Sequence, residues 1–177
     1  MNNFKTFELK NNLLIDFCIL SKNDVDNEFF VVALDGKKQV GYCNFSFKNN
    51  ECKINRIAIS EKDYLSKGIG NVMFKAMENF AYQNGIQYIS GIFTPRGYND
   101  AHNLTAKFYQ RQQMKSLDND YDYCDRDDLL KKINSALPEY DLPKIIDEKL
   151  YDKVQKYNYN TNDLFSTSDK NNEPLEL

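Results

Sequence analysis

The chain has 177 residues, 41% of them hydrophobic, and a formal net charge of -3 at pH 7, which suits one soluble globular domain with a buried core. The charge is unevenly spread: residues 1–117 carry 15 Lys+Arg against 11 Asp+Glu, and residues 118–177 carry 8 against 15. The last third is therefore an acidic segment, and neither part is basic enough to imply a nucleic-acid footprint. No apolar run approaches the roughly 20 residues of a membrane span, and the first residues lack the apolar core of a signal peptide. The expectation is a cytoplasmic protein without membrane contact. Cys18, Cys43, Cys52 and Cys124 form no CxxC pair and accompany a single histidine, which predicts buried free thiols rather than a zinc site or a disulfide framework.

Residues 4–9 and 13–20 are β-prone runs around Lys10-Asn11-Asn12, read as a hairpin or as a strand with a preceding arm. The polar loop 21–28 leads to the run 29–34, then Asp35-Gly36, then the run 39–47, a strong hairpin signal. A turn at 48–51 leads to a strand over 52–59, so the N-terminal half reads as an antiparallel meander. The period then changes: Ile69, Val72, Met73, Ala76, Met77 and Phe80 recur at helical spacing, and Asn84-Gly85 is a natural stop. The run 87–94, closed by Pro95, follows that helix directly. A right-handed crossover sets it parallel to the 52–59 strand. A second helix is expected over 103–112. Beyond Met114, residues 114–117 can begin a last strand. Leu129, Leu130, Ile133, Ala136 and Leu137 fit a short amphipathic helix, and Ile146, Leu150, Val154 and Tyr157 fit another. From 158 onward the composition is that of a disordered tail.

Between the 52–59 strand and the first helix stands Tyr64-Leu65-Ser66-Lys67-Gly68-Ile69-Gly70-Asn71. A glycine-bearing loop entering a helix is suited to anions: the first N–H groups of the helix have no intrahelical acceptor and the dipole adds positive charge there. By itself such a loop can equally be a turn. Its neighbours narrow the meaning. The run Ile54-Asn55-Arg56-Ile57-Ala58-Ile59, the Lys67-Gly68-Ile69-Gly70 loop, the helix, the 87–94 strand and Asn103-Leu104-Thr105-Ala106-Lys107-Phe108-Tyr109 together resemble the acetyl-CoA-binding core of the GNAT (Gcn5-related) N-acetyltransferases, over residues 29–114.

The resemblance implies an α/β fold of GNAT type: a mixed, mainly antiparallel sheet with flanking helices. It implies that Lys67, Gly68, Ile69, Gly70 and Asn71 cradle the acetyl-CoA pyrophosphate through backbone N–H groups. It further implies that Ile57, Ala58 and Ile59 pair with the pantetheine arm in a gap beside the 87–94 strand, one of their N–H groups facing the acetyl carbonyl. Tyr109 matches the family's proton donor to the departing thiolate, and Asn103 stands one residue from the family's CoA-contacting asparagine, with His102 at that register. The chain departs from the pattern at Leu65, where the family's loop opens with Arg or Gln. It departs again at Lys53, where the histone-modifying branch has a glutamate base. Glu51 and His102 are the candidate replacements, with Asp100 or a water chain as alternatives. How much a base matters depends on the amine: at pH 7 a lysine-like amine of pKa about 10.4 costs ~4.6 kcal/mol to deprotonate, and an α-amino group near 8 costs about 1.4.

The family also places helices between its first two strands to wall the acceptor site, and here only 21–28 intervenes. Residues 125–157 are expected to supply that wall or a partner surface. The expected organisation is an acetyltransferase domain over 1–117, an acidic helical extension over 118–157 and a tail over 158–177. The expected activity is metal-independent acetyl transfer from acetyl-CoA to a primary amine on a protein, peptide or small molecule, by direct attack in a ternary complex, with a homodimer left open. The alternative is a non-catalytic module that keeps the fold and binds CoA or a protein partner.

Overall fold

The computed structural model describes residues 3–22, 27–92, 115–118, 121–125 and 139–157. Its strands are β1 (Lys5–Glu8), β2 (Leu14–Ser21), β3 (Glu28–Asp35), β4 (Lys38–Lys48), β5 (Glu51–Ile59), β6 (Tyr88–Ile92), β7 (Lys115–Asp118), β8 (Tyr121–Asp125) and β9 (Lys144–Ile146). The helices are α1 (Ile69–Gln83) and α2 (Glu148–Tyr157). The strands form one sheet in the order β1-β2-β3-β4-β5-β6-β8-β7, with β9 against β2. Pairing is antiparallel except at β5–β6 and β2–β9, so the expected mixed, mainly antiparallel sheet is present. Among the described residues no helix is long and apolar enough to cross a membrane.

The turns explain why the meander closes where it does. Asn49 and Asn50, at φ 51 and 64, make the two-residue left-handed turn between β4 and β5, and Asn11 and Asn12 make left-handed steps between β1 and β2. Asparagine tolerates this conformation because its short side chain bonds locally, and the chain uses it where many proteins use glycine. Helix α1 ends in a double cap: Ile86 N–H donates to Ala81 C=O and Gly85 N–H to Tyr82 C=O, each at 3.1 Å.

Alternation along the strands splits the core in two. On one face α1 lays Ile69, Val72, Met73, Ala76, Met77 and Ala81 over a layer that includes Phe17, Val31, Phe45 and Ile57. The opposite face carries Cys18, Leu20, Phe30, Val32, Leu34, Tyr42 and Ala58, and α2 adds Tyr151 and Val154 to it. The described cysteines Cys18, Cys43 and Cys52 are free and buried. Burial pushes the Cys18 thiol up to about 12 and raises those of Cys43 and Cys52 well above the usual thiol value, so all three stay protonated and unreactive.

The C-terminal segment joins these layers. Tyr140 stacks on Phe7 with centroids 5.8 Å apart and accepts a hydrogen bond at its carbonyl from Asn79 Nδ2 of α1. Leu142 enters the α1-side core, and Pro143 C=O accepts from Ile19 N–H at 2.8 Å. Strand β9 then runs beside residues 19–21 of β2, while β1 covers residues 14–17 of the same edge. Ile146, expected in the last helix, is the end of this strand. The helix begins after Asp147, whose Oδ1 accepts from the N–H groups of Lys149 and Leu150. Asp118, polar in sequence, ends β7, and Tyr121 and Asp122 begin β8, which pairs with β7 antiparallel. The expected helices over 103–112 and 129–137, and the tail from 158, lie outside the described residues.

Leu142, 6% exposed, and Ile146, 59% exposed, predict opposite outcomes on truncation. Leu142→Ala is expected to cost about 2–4 kcal/mol in urea unfolding and Ile146→Ala less than about 0.5 kcal/mol. Equal costs would mean that the segment is not docked as described.

Candidate functional site

Strand β5 contains the irregularity that shapes the site. Asn44 pairs with Arg56 and Phe45 with Ile54, which leaves Asn55 as one extra residue in β5. This bulge resets the alternation: Cys52 and Ile54 face the α1 side before it, and Ile57 and Ile59 do so after it. The parallel pairing with β6 runs from Glu51↔Tyr88 to Ile54↔Gly91 and stops one residue before the bulge. Beyond that point β5 stays paired with β4 as far as Gly41↔Ile59, and among the described residues its other edge has no partner strand.

The direction of the backbone groups along that edge follows from one bond. Ser60 N–H donates to Val40 C=O at 2.9 Å, so Ser60 and, two residues back, Ala58 face β4. Alternation turns the N–H and C=O of Ile57 and Ile59 to the open edge. Ile57, Ala58 and Ile59 are all buried. Gly41 is what brings β4 this close. A Cβ there would stand 3.0 Å from Ala58 O, 3.1 Å from Ile59 Cδ1 and 3.4 Å from Met73 Cε of α1. Gly41 reads in sequence as an ordinary strand residue, and no local signal marks it.

The chain leaves the open edge through the short 3-10 turn Lys62–Tyr64 and enters α1. Ser66, at φ 58, and Gly68, at φ 99, are left-handed on either side of Lys67. Gly68 is the N-cap and supplies no side-chain acceptor. The first intrahelical bond runs from Val72 N–H to Gly68 C=O at 3.1 Å, so the N–H groups of Ile69, Gly70 and Asn71 come before any helical acceptor. Left-handed steps before a helix start gather such groups into a concavity for an anion. The loop is tied down on both sides. Tyr64 Oη donates to Asp35 Oδ2 at 2.9 Å, and this bond holds the phenol above its usual pKa. Lys38 pairs with Glu61 and stands 5.5 Å from the Tyr64 ring centroid. On the other side Lys10 N–H donates to Lys67 C=O at 3.4 Å.

Ile57 and Ile59 thus lie on the β5 edge that no described strand covers, and the loop 67–71 follows that strand, after the 3-10 turn, at the start of α1. Glu51 is elsewhere. It sits at the closed end of the β5–β6 pairing and accepts a hydrogen bond from Ser90 Oγ, four residues before the bulge. Lys53 is exposed. Tyr109, His102 and Asn103, with Asp100, lie outside the described residues.

Residues 26–113 match the family described as acetyltransferase (GNAT) domain. The GNAT domain of S. lividans PAT is similar in fold: 9% identical over 69% of this chain and 96% of its own, with a TM-score of 0.56. The cAMP-binding acyltransferase from Mycobacterium smegmatis is 12% identical over 78% of this chain and 56% of its own, with a TM-score of 0.53. The PaiA N-acetyltransferase from Thermoplasma acidophilum, solved in complex with coenzyme A, is 16% identical over 55% of this chain and 59% of its own, with a TM-score of 0.47. The chain spans little more than half the length of the latter two. A comparison with curated proteins finds no match.

Gly41 and Gly68 should respond differently to substitution. At Gly41 the obstacle is contact, and Gly41→Ala is expected to cost about 1–3 kcal/mol. At Gly68 a Cβ meets only Leu9 Cδ2 at 3.9 Å, so the obstacle is φ: Gly68→Ala should cost about 1–2 kcal/mol and Gly68→Asn less. Urea unfolding of the three variants checks the order; Asn as costly as Ala at 68 would refute the left-handed assignment.

Proposed function

Because residues 26–113 place this chain in the GNAT acyltransferase superfamily, we propose that it moves an acetyl group from acetyl-CoA to a primary amine by direct attack in a ternary complex. The observation that carries this reading is the edge of β5 that no described strand covers, followed in the chain by a helix start whose N-cap, Gly68, supplies no side-chain acceptor. An extended amide-bearing arm that ends in a diphosphate suits both halves. Its amides pair with the backbone of Ile59 as a further strand would, and its diphosphate meets the N–H groups of residues 68–71. Ile57 N–H, the first group on the open edge after the bulge, then faces the thioester carbonyl and stabilises its developing negative charge.

In the proposed reaction the amine nitrogen bonds to the acetyl carbon and the C–S bond breaks. Tyr109 gives its phenolic proton to the departing thiolate, and the amine proton leaves to a base. Asn103 is proposed as a further CoA contact. The bond from Ser90 to Glu51 at the closed end of the β5–β6 pairing leaves His102 the better placed in sequence of the two candidate bases, and an α-amino acceptor would demand least of it. That same bond favours a second reading, a domain that binds CoA without turning it over.

We further propose that α2 takes the place of the helices that the family inserts after its first strand. It lies on the sheet face that includes Ala58, with Tyr151 packed edge-on to Phe30 at 5.4 Å, and it presents exposed Lys149, Asp152 and Lys153.

Calorimetry with acetyl-CoA and thiol release on a panel of amines test the reading. Wild type should bind acetyl-CoA and acetylate at least one amine, and Tyr109→Phe should keep the binding and lose roughly 10²-fold or more in rate. Binding without turnover on any amine would establish the second reading; turnover unchanged by Tyr109→Phe would remove the proton donor. Reversing the charge of Lys149 and Lys153 to Glu should change the acceptor KM several-fold and leave acetyl-CoA binding alone. An unchanged acceptor KM would remove α2 from the acceptor side.

A further inference from the structure

We infer that the β1–β2 turn, which lies outside the matched residues 26–113, is the backing that fixes the phosphate loop in its anion-binding shape, with the N–H of Lys10 as the positioning group. The inference rests on the proposed binding of acetyl-CoA through that loop.

The peptide between Lys67 and Gly68 has two opposite poles. In a trans peptide the C=O and the N–H point to opposite sides. With Lys67 C=O turned to Lys10 N–H at 3.4 Å, Gly68 N–H points away from the β1–β2 turn. Rotating this peptide by half a turn would do two harmful things at once: withdraw a donor from the anion and present it with a carbonyl oxygen. Glycine makes that rotation easy, because Gly68 populates positive and negative φ about equally well. The loop cannot select the correct orientation by its own sterics, and the selecting contact comes from outside it.

The β1–β2 turn is built to supply that contact. Leu9 N–H donates to Leu13 C=O at 2.8 Å, and Leu13 N–H to Lys10 C=O at 3.4 Å, so the turn has its own closing bonds. Asn11 and Asn12 hold it in left-handed steps. Leu9, Leu13 and Leu65 are partly buried against the same α1-side core, and Leu9 Cδ2 is the nearest atom to the missing Cβ of Gly68. An apolar seam and a backbone hydrogen bond thus press the same two loop residues from behind. The ammonium of Lys10 plays no part in this account.

That division between N–H and side chain makes the test sharp. Leu9, at φ -106 and ψ -171, already has the extended backbone that precedes proline, and Lys10 opens a 3-10 turn where proline fits. Lys10→Pro therefore removes the N–H and keeps the turn. Calorimetry should show acetyl-CoA affinity reduced about five-fold in Lys10→Pro and less than about two-fold in Lys10→Ala. ADP, used as a competitor, should weaken in parallel, and acetyl-pantetheine, which lacks the diphosphate, should bind all forms alike. Equal affinity of Lys10→Pro and wild type overturns the inference, as does an equal loss in Lys10→Ala or a loss that extends to acetyl-pantetheine. Leu9→Ala, which keeps every backbone bond and thins the seam, should show the same diphosphate-selective loss on a smaller scale, and it decides the matter should Lys10→Pro not fold. A wild type that binds no acetyl-CoA would instead defeat the proposed function itself.

Discussion

Strand β5 is paired with β4 on either side of the bulge and, among the described residues, with β6 along its first four residues, and Asn55 stands where the two behaviours part. A single unpaired residue bends the strand and raises its local twist. Here it also swaps which side chains face α1, so the strand buries Ile57 and Ile59 while, among the described residues, no strand covers its outer edge there. An open edge in the middle of a sheet would ordinarily be a liability, since its unmet N–H and C=O groups invite another chain. In the proposed reading it has a use: a substrate arm of the same hydrogen-bonding pattern takes the place of the missing strand.

Holding that edge in place requires rigid neighbours on both sides of the sheet. Met73 of α1 and the β5 backbone close on Gly41 of β4, where an added Cβ would come within 3.0 Å of Ala58 O, so helix, β4 and β5 pack tightly near the point where the chain departs for the glycine-bearing loop. The loop in turn rests on two turns. One is the β3–β4 hairpin through Asp35 and Lys38, and the other is the β1–β2 hairpin through Lys10. Left-handed asparagine and glycine recur at these turns and at the loop itself. They let the chain reverse within two residues, and tight reversals bring distant hairpins to one corner.

The C-terminal segment shows how much of the molecule lies beyond the matched region. Tyr140 and Leu142 dock on the α1 side, β9 completes an edge that β1 leaves half covered, and α2 crosses to the opposite face. One stretch of about twenty residues therefore ties α1 to the opposite face of the sheet. Its acidic composition gave little hint of this, because the contacts depend on a few apolar residues, Tyr140, Leu142, Tyr151 and Val154, set among charges.

The sequence by itself determined the elements whose signals are local. The Asp35-Gly36 and Asn49-Asn50 turns, the apolar stripe of α1, its Asn84-Gly85 stop and the parallel β6 all follow from period and turn chemistry within a few residues. The likeness of the 54–59 and 67–70 motifs to a known family supplied the meaning of the gap and the loop. Only the tertiary structure decided the bulge at Asn55, the close approach at Gly41, the pairing of β9 with β2 and the bond from Lys10 to Lys67. Each of these joins residues separated in the chain, Asn44 and Arg56 by 12 positions, Gly41 and Ala58 by 17, and the others by far more. A bulge or an edge pairing is set by the partner strand's register, which no local period encodes. The loop at Gly68 was legible as a place suited to an anion, and the hairpin turn that backs it, through the bond from Lys10 to Lys67, became visible only in the tertiary structure.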